Sequence, residues 1–154
     1  YLTGARQQEE TPMTKSNIGI RTISGALGAE IVGIDLAERM SEQTLLAIRT
    51  ALYDNLVIFF RDQSITPEQQ LEFARRFGPI ETHAYAKGLD GIPEILPVVK
   101  EADDRAANFG GIWHSDVSFH EVPPMGQILY AKEVPDAGSD TILANMYMAP
   151  YRMP

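Results

Sequence analysis

The sequence contains no cysteine, which excludes disulfides and thiolate metal sites and leaves the redox compartment open. It is short of positive charge. Thirteen Lys and Arg face 21 Asp and Glu, for a formal net charge of −8, whereas a nucleic-acid surface wants a basic patch. No apolar run approaches the roughly 20 residues that span a bilayer. The N-terminus lacks the basic stretch and apolar stretch of a secretory signal. These absences make a soluble cytoplasmic protein the default expectation. Histidine is scarce too, with only His83, His114 and His120. What the 154 residues do carry is 44% hydrophobic side chains, enough for the core of one domain or part of one.

Residues 1–15 are polar and without period, and read as a flexible leader. The chain has no internal repeat. Ile18 to Ile23 alternates apolar and polar residues like a half-buried strand, and Glu30 to Asp35 reads as a second strand. Ser41 predicts a helix N-cap, with Leu45, Leu46, Ile48, Leu52 and Tyr53 as the inner face and Asn55 as the stop. Leu56 to Phe60 is a continuous β-branched and aromatic run, expected to be a strand buried on both faces. Thr66-Pro67-Glu68-Gln69 predicts a second helix by its capping box and first-turn proline. Leu71, Phe73, Ala74 and Phe77 supply its inner stripe, and Gly78 its end. Glu94 to Val99, Gln127 to Lys132 and Thr141 to Asn145 are further strand candidates. The residues alone give an α+β domain with a mostly antiparallel sheet.

The stretch with most chemistry is Asn108-Phe109-Gly110-Gly111-Ile112-Trp113-His114-Ser115-Asp116-Val117-Ser118-Phe119. It reads as a strand entered from a glycine turn. In a strand, residues i and i+2 share a face, so His114 and Asp116 would aim an imidazole nitrogen and a carboxylate at one point. Two ligands of a 2-His-1-carboxylate site for non-haem Fe(II) have this arrangement. On spacing alone, an ordinary surface hydrogen bond fits equally well. Trp113 reads as a core residue and His120 as a surface histidine, since Pro123 and Pro124 end the strand near it.

The surroundings add to the motif. The run from Asn108 to Phe119, then Pro123-Pro124-Met125-Gly126 and Gly138-Ser139-Asp140-Thr141, resembles the taurine dioxygenase (TauD/TfdA) family of α-ketoglutarate-dependent oxygenases. Gly28 to Leu36, Leu56 to Gln63 and Phe73 to Gly78 resemble earlier blocks of that family, in family order, over residues 16–148. The resemblance implies a double-stranded β-helix, or jelly roll, with flanking helices, incomplete in this chain. It implies Fe(II) held by His114 and Asp116, and α-ketoglutarate as co-substrate with Thr141 near its carboxylate. It also implies O2 and a small anionic substrate, such as a sulfonate or carboxylate, near His83 and Tyr85. No nucleic-acid or membrane partner is expected, and a homo-oligomer is compatible with the reading. Where taurine-type enzymes carry Asn shortly before Trp-His-x-Asp, this chain has Gly110, which sets taurine itself in doubt.

The family's distal iron-binding His and its α-ketoglutarate-binding Arg have no counterpart here. Met148 to Pro154 is an atypical tail in which two prolines end any helix. Residues 16–148 are thus expected to be the N-terminal part of such a domain. Two alternatives stay open: a non-catalytic fragment of such an enzyme, and a divalent-metal hydrolase using His-x-Asp.

Overall fold

Strand β1 (Gly19–Thr22) pairs antiparallel with β2 (Ala29–Val32), Gly19 opposite Val32 and Thr22 opposite Ala29. Ser24 turns the chain between them, its hydroxyl donating to the Leu27 carbonyl at 2.7 Å. The Ile23 amide closes the turn on Gly28 at 2.9 Å. The structure is a computed structural model and describes residues 18–82, 86–101, 110–138 and 140–148. The chain divides into two compact units, residues 1–62 with 145–154, and residues 63–144.

In the first unit, β2 leads into helix α1 (Glu42–Asn55) and then strand β3 (Ile58–Phe60). Ser41 caps α1 as expected, its hydroxyl accepting from the Thr44 amide at 3.1 Å. The helix stops where Leu56 turns left-handed at φ 66° and its amide returns to the Leu52 carbonyl at 2.7 Å. A crossover helix lets β3 lie parallel to β2, so the sheet order is β1-β2-β3 with one antiparallel and one parallel pair. The expected mostly antiparallel sheet is therefore corrected to a small mixed one. The core of this unit is Ala29, Ile31, Leu36, Leu45, Ile48 and Ala51, none more than 8% exposed.

Two expectations from the sequence are corrected here. Leu46 and Tyr53 are exposed, because the buried stripe of α1 runs through Leu45, Ile48 and Ala51 instead. Strand β3 is only half-buried, with Phe59 37% exposed. An apolar run suggests a central strand, but among the described residues β3 lies at the sheet edge.

In the second unit, Thr66 and Gln69 form the expected reciprocal capping box of α2 (Pro67–Arg75). Leu71 and Phe73 are its buried residues, and Phe77 packs edge-on against Phe73 at 5.2 Å. Downstream, Tyr130 holds its own segment to the start of α2. Its hydroxyl donates to the Gln63 carbonyl at 3.0 Å and accepts from the Ile65 amide at 3.4 Å. The Gln70 side chain adds a bond to the Ile128 carbonyl at 3.3 Å.

The later strands are not formed. Residues 94–99, 113–119, 127–132 and 141–145 pair with no other described strand. Their β-forming composition is not enough, because a strand exists only with a ladder partner. Trp113 is 71% exposed rather than a core residue. The complete double-stranded β-helix is likewise not seen among the described residues, where the sheet has three strands. Among them no helix is long and apolar enough to cross a membrane.

Candidate metal centre

His114 and Asp116 do meet, though not by strand alternation. Imidazole Nε2 lies 3.1 Å from carboxylate Oδ1, with both side chains about half exposed. The other ring nitrogen, Nδ1, lies 2.6 Å from the Ile112 carbonyl oxygen. A carbonyl only accepts, so Nδ1 carries the proton. In the neutral ring Nε2 is then a lone pair aimed at a carboxylate oxygen. Two electron-pair donors this close repel unless something positive lies between them.

A proton is one such charge. The His114 pKa is accordingly raised above the ordinary value, chiefly by the Ile112 carbonyl, against the opposing effect of burial, with Asp116 adding to the rise. A metal ion is the other. Ligand bonds of about 2.1 Å at right angles put neighbouring donor atoms about 3 Å apart. The 3.1 Å separation fits two adjacent positions around such an ion. The bond from Nδ1–H to a backbone carbonyl is also the support that a ligating histidine ordinarily receives, since it fixes tautomer and ring direction. The residues present therefore fit two ligands of a metal site.

Gly110 completes this surround. It is left-handed at φ 71°, and a Cβ added there would come 3.2 Å from His114 Cε1 and 3.8 Å from Nε2. Any larger side chain would press on the imidazole next to its ligating atom.

Of the remaining sequence-predicted residues, Thr141 is exposed and makes no hydrogen bond to His114 or Asp116. His83 and Tyr85 lie outside the described residues. His120 is half-buried and edge-on to Phe119 at 5.0 Å, and does not join the pair. Among the described residues no group of three or more His, Cys, Asp and Glu is placed to hold a metal ion. Sequence reasoning missed the Ile112 carbonyl, since a backbone acceptor leaves no mark in side-chain pattern.

The pair lies within a stretch that matches a known family. Residues 19–154 match the family described as taurine catabolism dioxygenase TauD, TfdA family. The chain belongs to that family. Among curated relatives it is 33% identical to an alpha-ketoglutarate-dependent sulfate ester dioxygenase of Pseudomonas putida, over 89% of this chain and 44% of that protein. It is 34% identical to an alkylsulfatase of Acinetobacter baylyi, over 82% of this chain and 39% of that protein. A third relative is the (S)-phenoxypropionate/alpha-ketoglutarate-dioxygenase of Sphingobium herbicidovorans, 32% identical over 84% of this chain and 46% of that protein. The chain thus spans less than half the length of each of these TauD/TfdA relatives.

Proposed function

We propose that this TauD/TfdA chain supplies the His-x-Asp part of the centre of an Fe(II)- and α-ketoglutarate-dependent dioxygenase. The observation that carries the reading is the facing of His114 Nε2 and Asp116 Oδ1 at 3.1 Å, with Nδ1–H tied to the Ile112 carbonyl. Fe(II) bound with α-ketoglutarate would supply the oxidising chemistry, in which O2 is consumed, α-ketoglutarate is decarboxylated to succinate and CO2, and a second substrate is oxidised. The chain's part is to hold and orient. The Ile112 carbonyl keeps the proton on Nδ1, so Nε2 presents its lone pair to the metal. Gly110 keeps the space beside Nε2 clear.

Thr141 is assigned a hydroxyl bond to a carboxylate of α-ketoglutarate, and His83 and Tyr85 the anionic end of the substrate. These assignments rest on the family resemblance. The substrate is a small organic anion, a sulfate ester, sulfonate or carboxylate. Support comes from relatives named for sulfate esters, (S)-phenoxypropionate and sulfonates. Gly110 in place of the taurine-type Asn, with its clearance beside His114, favours a substrate other than taurine. Residues 16–148 belong to one jelly-roll domain in this reading, in a cytoplasmic protein.

In the intact protein, His114→Ala and Asp116→Ala each abolish substrate-dependent succinate formation. Turnover retained by either variant would refute the ligand assignment. Thr141→Val removes one hydrogen bond to a charged group, worth about 1.5–3 kcal/mol. The α-ketoglutarate requirement then rises roughly tenfold to a hundredfold, and an unchanged requirement removes Thr141 from the site.

A further inference from the structure

The sequence contains one Asp-Gly step, Asp90-Gly91, and no Asn-Gly step. It stands at the tip of a closed loop in the second unit. The Leu89 amide donates to the Ile95 carbonyl at 2.9 Å, the Ile95 amide to the Ile92 carbonyl at 3.1 Å, and the Ile92 amide back to the Leu89 carbonyl at 3.1 Å. The base of the loop has no slack, since a Cβ at Gly88 would run into the Pro93 carbonyl. The tip is different. Gly91 is left-handed at φ 83° and exposed, with open space where a side chain would stand. Among the described residues its amide donates to no acceptor. The Asp90 side chain is 90% exposed and meets the Lys87 ammonium at 2.8 Å. Water screens such a pair, so it holds the carboxylate weakly. An aspartyl carboxyl group lies one methylene from the backbone, within reach of the next amide nitrogen. A side chain on that next residue hinders the approach, and glycine has none.

We infer that Asp90 is a site of spontaneous backbone modification, passing through a succinimide to isoaspartate. The Gly91 nitrogen attacks Asp90 Cγ. A C–N bond forms as the bond from Cγ to one carboxyl oxygen breaks, and that oxygen leaves as water with the carboxyl and amide protons. Water then opens the ring. Opening at Cγ restores aspartate. Opening at the Asp90 carbonyl carbon leaves the chain running through Cγ, with a free α-carboxylate that an isoaspartyl methyltransferase can modify. Nothing is oxidised or reduced. For the ring to close, the Asp90–Gly91 peptide must swing its nitrogen toward Cγ. Among the described contacts, only the Ile92–Leu89 bond and the exposed Lys87 pair resist that swing. The product adds one methylene to the backbone between Leu89 and Ile92, in a loop whose base cannot take it up. This site is independent of the metal reading.

The test holds the intact folded protein in warm, mildly acidic buffer, which favours the step because water leaves from a neutral carboxyl group. Isoaspartate is read by methyltransferase labelling and located by mass spectrometry of the tryptic peptide 88–100. Wild type is expected to gain label in that peptide ahead of every other aspartate. Asp90→Asn forms the same ring by losing ammonia, and in mildly alkaline buffer it is expected to reach isoaspartate sooner than wild type. Gly91→Asn still enters the left-handed region, but it puts a Cβ beside the attacking nitrogen. Its label at residue 90 is expected to fall to the background of the other aspartates. Wild type that stays unlabelled at residue 90 would overturn the inference. So would an Asp90→Asn protein that keeps its amide, since the turn would then forbid the ring. Equal labelling of Gly91→Asn and wild type would overturn it too, because the open approach at glycine would not be the cause.

Discussion

The segment from Gly19 to Phe60 and the segment from Gly110 to Met148 are both rich in apolar residues but have opposite fates. In the first, β2 and α1 bury Ile31, Leu45 and Ile48 to 3% exposure or less. In the second, Ile112, Trp113, Phe119, Val122, Leu129, Val134 and Ile142 are all at least 70% exposed. The first carries its own partners: three strands and a crossover helix close on one another within some forty residues. The second carries strand-like runs that find no ladder among the described residues. Hydrophobic content says how much a segment can bury, and the availability of partners says whether it does.

The sharpest way to break this contrast is a matched pair of truncations. Ile48 is fully buried, and Ile48→Ala is expected to cost about 2–5 kcal/mol by lost burial plus a cavity. Leu129 is 74% exposed, and Leu129→Ala is expected to shift stability by no more than about 0.5 kcal/mol. Urea denaturation of both variants measures this. Equal costs would mean that the second segment is packed after all.

A smaller effect tests whether local signals govern the second unit where they are present. Thr66→Ala removes the α2 cap and is expected to destabilise by about 1 kcal/mol, with Thr66→Ser restoring most of it. Tyr130→Phe then tests the tether that joins the later segment to α2. Loss of the hydroxyl bonds to Gln63 and Ile65 is expected to cost about 0.5–1.5 kcal/mol. Hydrogen exchange of the Ile65 amide should quicken in that variant, and an unchanged rate would show that the tether does not bear on the segment.

The smallest effect is electrostatic. Without metal, His114 titrates above the ordinary histidine value of about 6.5, because the Ile112 carbonyl and Asp116 favour the charged ring. The sign comes from linkage. A raised folded pKa adds stability that is complete below the unfolded value and is lost as pH rises through the folded one. Asp116→Asn should bring the midpoint down only part of the way, since the larger cause is the Ile112 carbonyl. An NMR titration of the imidazole checks this, and a midpoint at or below the ordinary value would contradict the geometry.

The site is legible in the sequence to a different depth at each residue. Spacing singles out His114 and Asp116, yet a shared strand face is not what the fold uses to join them. The pair meets within an irregular stretch instead. Gly110 stands out as a departure from the Asn of taurine-type enzymes, but its clearance from His114 is visible only in three dimensions. Thr141 is marked by resemblance to the family, and the described structure shows it only as exposed.

By itself the sequence determined what short-range chemistry can determine. Ser41 and Thr66 begin their helices because a side-chain oxygen reaches an amide three residues on. Ser24 closes its turn within four residues for the same reason, its hydroxyl accepting from the Leu27 amide at 3.2 Å. Tertiary structure decided the rest. Among the described residues it set β3 parallel and at an edge, left the later runs without ladders, and chose left-handed backbone for a valine beside Asp116. Those outcomes depend on which distant segment lies alongside, and on whether its contacts outweigh local preference. No residue records that in its immediate neighbours.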